Sequence, residues 1–185
     1  MTKANPKHYV NNKELYAIMQ EYIAKVKQSK EERWNQPPQV PNYVGRCLIQ
    51  IANRLATKPN FSGYTYKEEM ISDGIENALM YINNFNPEKS KNPFAYFTQI
   101  IYFAFIRRIQ KEKKQVYIKH KAYEKSVVFN EMVVGGDGHH QETTDTSFAQ
   151  EYRGEFITSY EKSLKERREK TKRAKQDKEN DNTPS

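Results

Sequence analysis

"NPFAYFTQIIYFAFIRRIQKEKK", residues 92–114, is the stretch on which the fold turns. Asn92 can cap a helix, and Pro93 suits a first helical turn. After them the chain is apolar or aromatic at nearly every position, then turns abruptly basic. Winding the stretch at about 100° per residue separates two stripes. Phe94, Phe97, Ile101, Phe105 and Ile109 fall together as a core stripe. Tyr96, Ile100, Phe103, Arg107, Lys111 and Lys114 fall on a second, nearly opposite stripe that begins aromatic and ends basic. One apolar stripe is enough to dock a helix, so the second needs its own explanation. It is either a nucleic-acid surface, with rings for unpaired bases and cations for phosphates, or the back of a helix packed on both sides with a solvated basic end.

Upstream the helical period recurs. Leu15, Ile18, Met19, Tyr22, Ile23 and Val26 mark a first helix, which Asn11 or Asn12 can cap. The prolines of "NQPPQVPN" (35–42) end it. Val44, Cys47, Leu48, Ile51 and Leu55 share one face of a second helix, followed by a loop, "KPNFSGYT" (58–65). Thr65 and Glu68 form a capping-box pattern for a third helix with the stripe Met70, Ile71, Ile75, Ala78, Leu79 and Ile82. The opening stretch is the fourth helix, running to about Lys114 with a continuation or short fifth helix through Lys125.

Downstream the pattern thins. "VGGDGHHQETTDTS" (134–147) has loop composition, and "FAQEYRGEFITSYEKSL" (148–164) fits one amphipathic helix broken or bent at Gly154. From Glu161 the chain is almost wholly charged and polar, a composition that predicts a disordered tail. No segment has the alternation of a strand. The expected organisation is an all-α domain over 1–125, a loop and helix over 126–160, and a charged tail over 161–185.

Hydrophobic residues make up 36% of the 185 and charged ones 29%, so the core must be small. Thirty-one Lys and Arg against 23 Asp and Glu give a net charge of +8. That balance favours a polyanionic partner. The lone Cys47 excludes an internal disulfide and any multi-cysteine zinc site. It falls in an apolar helical pattern and reads as a small buried hydrophobe. The start, "MTKANPKHYV", lacks the apolar segment of a signal peptide. No window is long and apolar enough for a membrane span, so a soluble, cytoplasmic protein with no membrane partner is expected.

Taken with the helix before it, the opening stretch resembles a known family. "EMISDGIENALMYINNF" (69–85), a basic turn and "FAYFTQIIYFAFIRRI" (94–109) are similar to region 2 of the bacterial sigma factors. The similarity is closer to the small late-transcription sigma factors of T-even-type bacteriophages, through "YVNNKEL", "NFSGYT", "EMISDGIE", "KNPFAYFTQ" and "RIQKEKK" in that order. It covers residues 9 to about 118.

The resemblance implies a protein of the infected bacterial cell that binds core RNA polymerase. Glu69, Ser72, Asp73 and Glu76 would meet the clamp helices of the largest catalytic subunit. An acidic docking face on a basic protein would steer polymerase to one side and leave DNA the other. The resemblance further implies that the fourth helix melts a −10-like promoter element and captures flipped bases. The family's stacking Tyr corresponds to Phe97, with Tyr96 beside it, and its wedging Trp pair corresponds to Ile100 and Ile101. With Phe103, these make the base-facing candidates; Arg107, Arg108, Lys111, Lys113 and Lys114 are the phosphate-contact candidates.

Isoleucine can still wedge a base step but stacks less well than Trp. Nothing after residue 125 resembles the helix-turn-helix that reads an upstream promoter element, so activation would come from elsewhere, such as a phage co-activator. In the phage relatives a hydrophobic and acidic C-terminal motif binds the sliding clamp; "KRAKQDKENDNTPS" (172–185) has no such anchor. The alternative is a polymerase-binding adaptor that does not itself read DNA. A plain helical nucleic-acid binder is a third reading.

Enzymatic activity is not expected. His139, His140, Asp137 and Glu142 share a glycine-rich loop with no further ligand at metal spacing. There is no phosphate-binding glycine loop and no nucleophile–base pattern. No cofactor and no metal are expected.

Overall fold

The computed structural model of the chain describes residues 9–134 and 147–181. The fold is all-α, with no strand among the described residues. Its helices are α1 (Asn12–Glu31), α2 (Asn42–Ala56), the short α3 (Pro59–Ser62), α4 (Lys67–Met80), α5 (Pro93–Val134) and α6 (Ser147–Asp181), with a 3₁₀ turn at Ile82–Asn84. No described helix is long and apolar enough to cross a membrane.

The two adjacent asparagines divide the capping between two helices. Asn11 Oδ1 accepts from the amides of Lys13 and Glu14 and caps α1. Asn12 Oδ1 accepts from Phe94 N at 3.1 Å, while Asn92 Oδ1 accepts from Ala95 N at 3.0 Å. Both therefore satisfy orphan amides at the start of α5. Tyr16 adds a hydrogen bond to the Pro87 carbonyl at 3.1 Å, so α1 holds the turn between α4 and α5. At its other end α1 closes on Arg33 at φ 52°. Trp34 N donates to Ser29 O and Glu32 N to Gln28 O, both at 2.9 Å. This is a Schellman-type stop with arginine where glycine is usual.

The expected stripes of α1 and α2 form the core: Leu15, Met19, Tyr22, Ile23 and Val26 face Val44, Cys47, Leu48, Ile51 and Leu55. Burial pushes the Cys47 thiol up, as suits an inert core thiol. Helix α3 exists to seat Phe61, which is buried and meets Phe105 edge-on at a centroid distance of 5.2 Å. Two details of α4 differ from expectation. It starts at Lys67 with Tyr66 at the cap position and no side-chain cap bond, so Thr65 and Glu68 do not form a capping box. The Tyr64 and Tyr66 rings, 5.1 Å apart and packed on the core, fix the entry instead. Leu79, nine residues beyond Met70, lies half a turn away and is exposed.

By its packing the chain divides between Gln110 and Lys111. Ile109 is the last α5 residue in the first core. Beyond it, α5 pairs with α6. Tyr117 stacks on Tyr160 at 4.7 Å, His120 meets Phe156 at 5.4 Å, and Arg153 lies over Tyr123 at 4.5 Å. The order runs oppositely on the two helices, so this second unit is an antiparallel pair. Tyr117 also donates to Glu161 at 2.9 Å, and Lys121 lies 3.3 Å from the same carboxylate.

Of the two forms the sequence left open, α5 takes the continuous one and runs on past Lys125 to Val134, while α6 passes unbroken through Gly154 to Asp181. The stretch 161–181 is thus helical where composition predicts disorder. Its Lys, Arg, Glu and Gln are strong helix formers, and a helix needs no buried face where side-chain pairs along it suffice. The histidine-bearing loop, with His139 and His140, lies outside the described residues.

Candidate nucleic-acid interface

The first unit brings α4 and α5 into close contact through one glycine. A Cβ on Gly74 would lie 2.8 Å from the Phe105 ring and 2.9 Å from Ile101 Cγ2. Only a residue without a side chain lets the two helices approach this closely.

Beside that contact runs a polar seam. Arg108 Nη1 lies 3.2 Å from Asp73 Oδ2, in a partly buried ion pair. Arg107 Nη2 donates to Asn77 Oδ1 at 2.6 Å, and Asn77 Nδ2 donates to the Asp73 carbonyl at 2.7 Å. Asp73 and Arg108 therefore face each other within the fold, although sequence assigns them to opposite partners. Glu69, Ser72 and Glu76 remain exposed along α4.

The aromatic stripe divides in the same way. Phe97 and Ile101 have no exposed surface. A ring with no accessible face cannot stack on a base, so both leave the candidate surface and belong to the core that the helical period gave them. Tyr96 and Ile100 are half-buried. The Tyr96 ring packs against Phe85 and Phe97 at 5.3 and 5.2 Å, and its hydroxyl donates to the Tyr81 carbonyl at 2.8 Å. Desolvation holds that phenol above its ordinary pKa.

On its first-unit segment α5 offers to solvent Phe103, 49% exposed, and Tyr102, 39% exposed, in an edge-on pair at 5.7 Å. Tyr102 also meets Phe61 edge-on, which fixes its ring. Pattern reading missed Tyr102 because it lies off both stripes. Leu79, which the pattern placed on the apolar stripe, is exposed at the end of α4 beside Met80 and the cap residue Tyr81, which it did not single out. Arg107 is exposed in spite of its bond to Asn77; Lys111, Lys113 and Lys114 are exposed on the α5 segment of the second unit.

The first unit can thus present acids on α4 and a fixed pair of rings with a guanidinium on α5. No cluster of His, Cys, Asp or Glu suited to a metal occurs among the described residues. No protein-family model matches the chain, and no curated protein is similar enough to count as a match.

Proposed function

We propose that the chain is a minimal sigma factor of the late-transcription phage type, which binds core RNA polymerase through α4 and opens a −10-like element with α5. The observation that carries this reading is the Gly74-tight helix pair. One partner has exposed carboxylates at Glu69 and Glu76, and the other has exposed rings at Tyr102 and Phe103. Acids suit a basic protein surface, and rings offset the unstacking energy of melted DNA. Ile100, half-buried beside the rings, is the remaining wedge candidate. Run-off transcription with bacterial core polymerase on an AT-rich promoter tests this. Transcripts above those of core alone are expected; no stimulation overturns the reading.

Burial of Phe97 and Ile101, with Arg108 held by Asp73, favours a second reading: a polymerase adaptor that leaves DNA to others. Charge reversal separates the two. Glu69→Lys with Glu76→Lys removes polymerase binding under both. Lys111→Glu with Lys114→Glu impairs promoter opening only if the chain itself holds the DNA.

A further inference from the structure

Beyond its contacts with α5, helix α6 has an unusual make-up. Over residues 162–173 it has seven Lys or Arg against two Glu. From Lys162 to Asp181 its only apolar residues are Leu164 and Ala174, and it has no aromatic one.

The charges are not spread evenly. Lys162, Glu166, Glu169 and Arg173 share one face, where opposite charges four residues apart (162/166 and 169/173) can offset each other. Lys165, Arg168 and Lys172 fall on another face at helical spacing and are exposed. Among the described residues none of these three has an ion-pair partner. They form a basic stripe about 10 Å long, by the 1.5 Å rise of a helix, bordered by Glu161 and Glu169 but cationic on balance.

We propose that this stripe grips the phosphate backbone of duplex DNA without regard to sequence. Three observations select that partner. A membrane-surface helix needs an apolar face to insert, and this segment has none. A specific protein partner needs buried apolar or aromatic anchors, also missing. Single-strand binding relies on rings that stack on bases, and no ring follows Tyr160. A duplex asks only for fixed positive charge, and over about 10 Å it offers roughly six phosphates. The inference is independent of the polymerase reading, since it concerns α6 alone and needs no melted strand.

The test is fluorescence anisotropy of the full chain with a short labelled duplex of arbitrary sequence, titrated between about 50 and 200 mM salt. The variant Lys165→Gln, Arg168→Gln, Lys172→Gln is compared with Lys162→Gln, Lys170→Gln, Arg173→Gln, which removes the same charge from other positions. Far-UV circular dichroism confirms that helicity is kept in both. We expect the stripe variant to bind about tenfold more weakly, with a log–log salt slope lower by about 2 to 3. The comparison variant should lose less than half as much. Equal losses would reduce the effect to net charge and overturn the proposal, as would absence of duplex binding by the unaltered chain. Stripe-dependent binding to anionic phospholipid vesicles with duplex binding unchanged would overturn it too.

Discussion

Gly74 and Gly45 show how one substitution can act in opposite directions. Both lie inside helices, where alanine is the better helix former by about 0.5–1 kcal/mol. Gly45 has no heavy atom within 4 Å of where a Cβ would stand. Gly45→Ala should therefore stabilise the protein by about that amount. At Gly74 the same methyl enters the Phe105 ring and Ile101, both buried side chains without room to yield. Gly74→Ala should cost about 1–3 kcal/mol. Urea midpoints of the two variants, moving in opposite directions, check this. None of it is legible from sequence, where the two positions look alike. The division between Asn11 and Asn12 is equally hidden, because the α5 amide that Asn12 caps is 82 residues away. Arg33 runs the other way: the prolines after it announce a stop, but not that an arginine would take the left-handed position.

Helix α5 is where periodicity served best. Of the stripe Phe94, Phe97, Ile101, Phe105 and Ile109, all but the partly buried Phe94 are buried as the 3.6-residue spacing requires, and Phe103 falls outside it. The two phenylalanines should then separate by variant. Phe97→Ala is expected to destabilise by about 3–5 kcal/mol, the usual cost of an emptied aromatic site. Phe103→Ala should change stability by less than about 1 kcal/mol, as for a surface site, yet lower promoter opening if the rings meet melted DNA. Chemical unfolding and permanganate footprinting of a promoter complex provide the two readouts. Family alignment pointed at Phe97 because it counts positions, and helix phase removed it because phase decides which positions have a surface. Composition failed at α6 in the opposite sense. Absence of apolar residues argues against a packed core, but not against a helix whose side chains suit that backbone.

Over the whole molecule, stability depends on a few ties between elements, and one of them responds to alkali. Tyr43 on α2 donates its hydroxyl to Glu14 on α1 at 3.0 Å. Desolvation first, then that bond and the nearby Cys47, push its phenol up to about 12. The unfolded chain would release the same proton near 10. The folded state thus keeps a proton that the unfolded state loses, so this tie contributes fully below about pH 10 and fades as pH rises toward 12. Denaturant unfolding of the parent chain should weaken across that window more steeply than that of Tyr43→Phe. Equal slopes would show that the tie contributes nothing. Fold class was legible throughout, since every helix with an apolar stripe formed. The division at Gln110 was not, because the side chains that pair with the later part of α5 lie on α6, some 30 to 43 residues further along the chain.

Asn12 has a consequence for how the chain is made. It leaves the ribosome well before the amide it caps, which follows 82 residues later. The first turn of α5 therefore waits for a group synthesised long before it, and contacts so distant in sequence close late in folding. Replacing Asn11 and Asn12 together would take away the cap of α1 and a cap of α5. A change in the lead into α1 would then surface at Pro93, where the helix with the exposed rings begins.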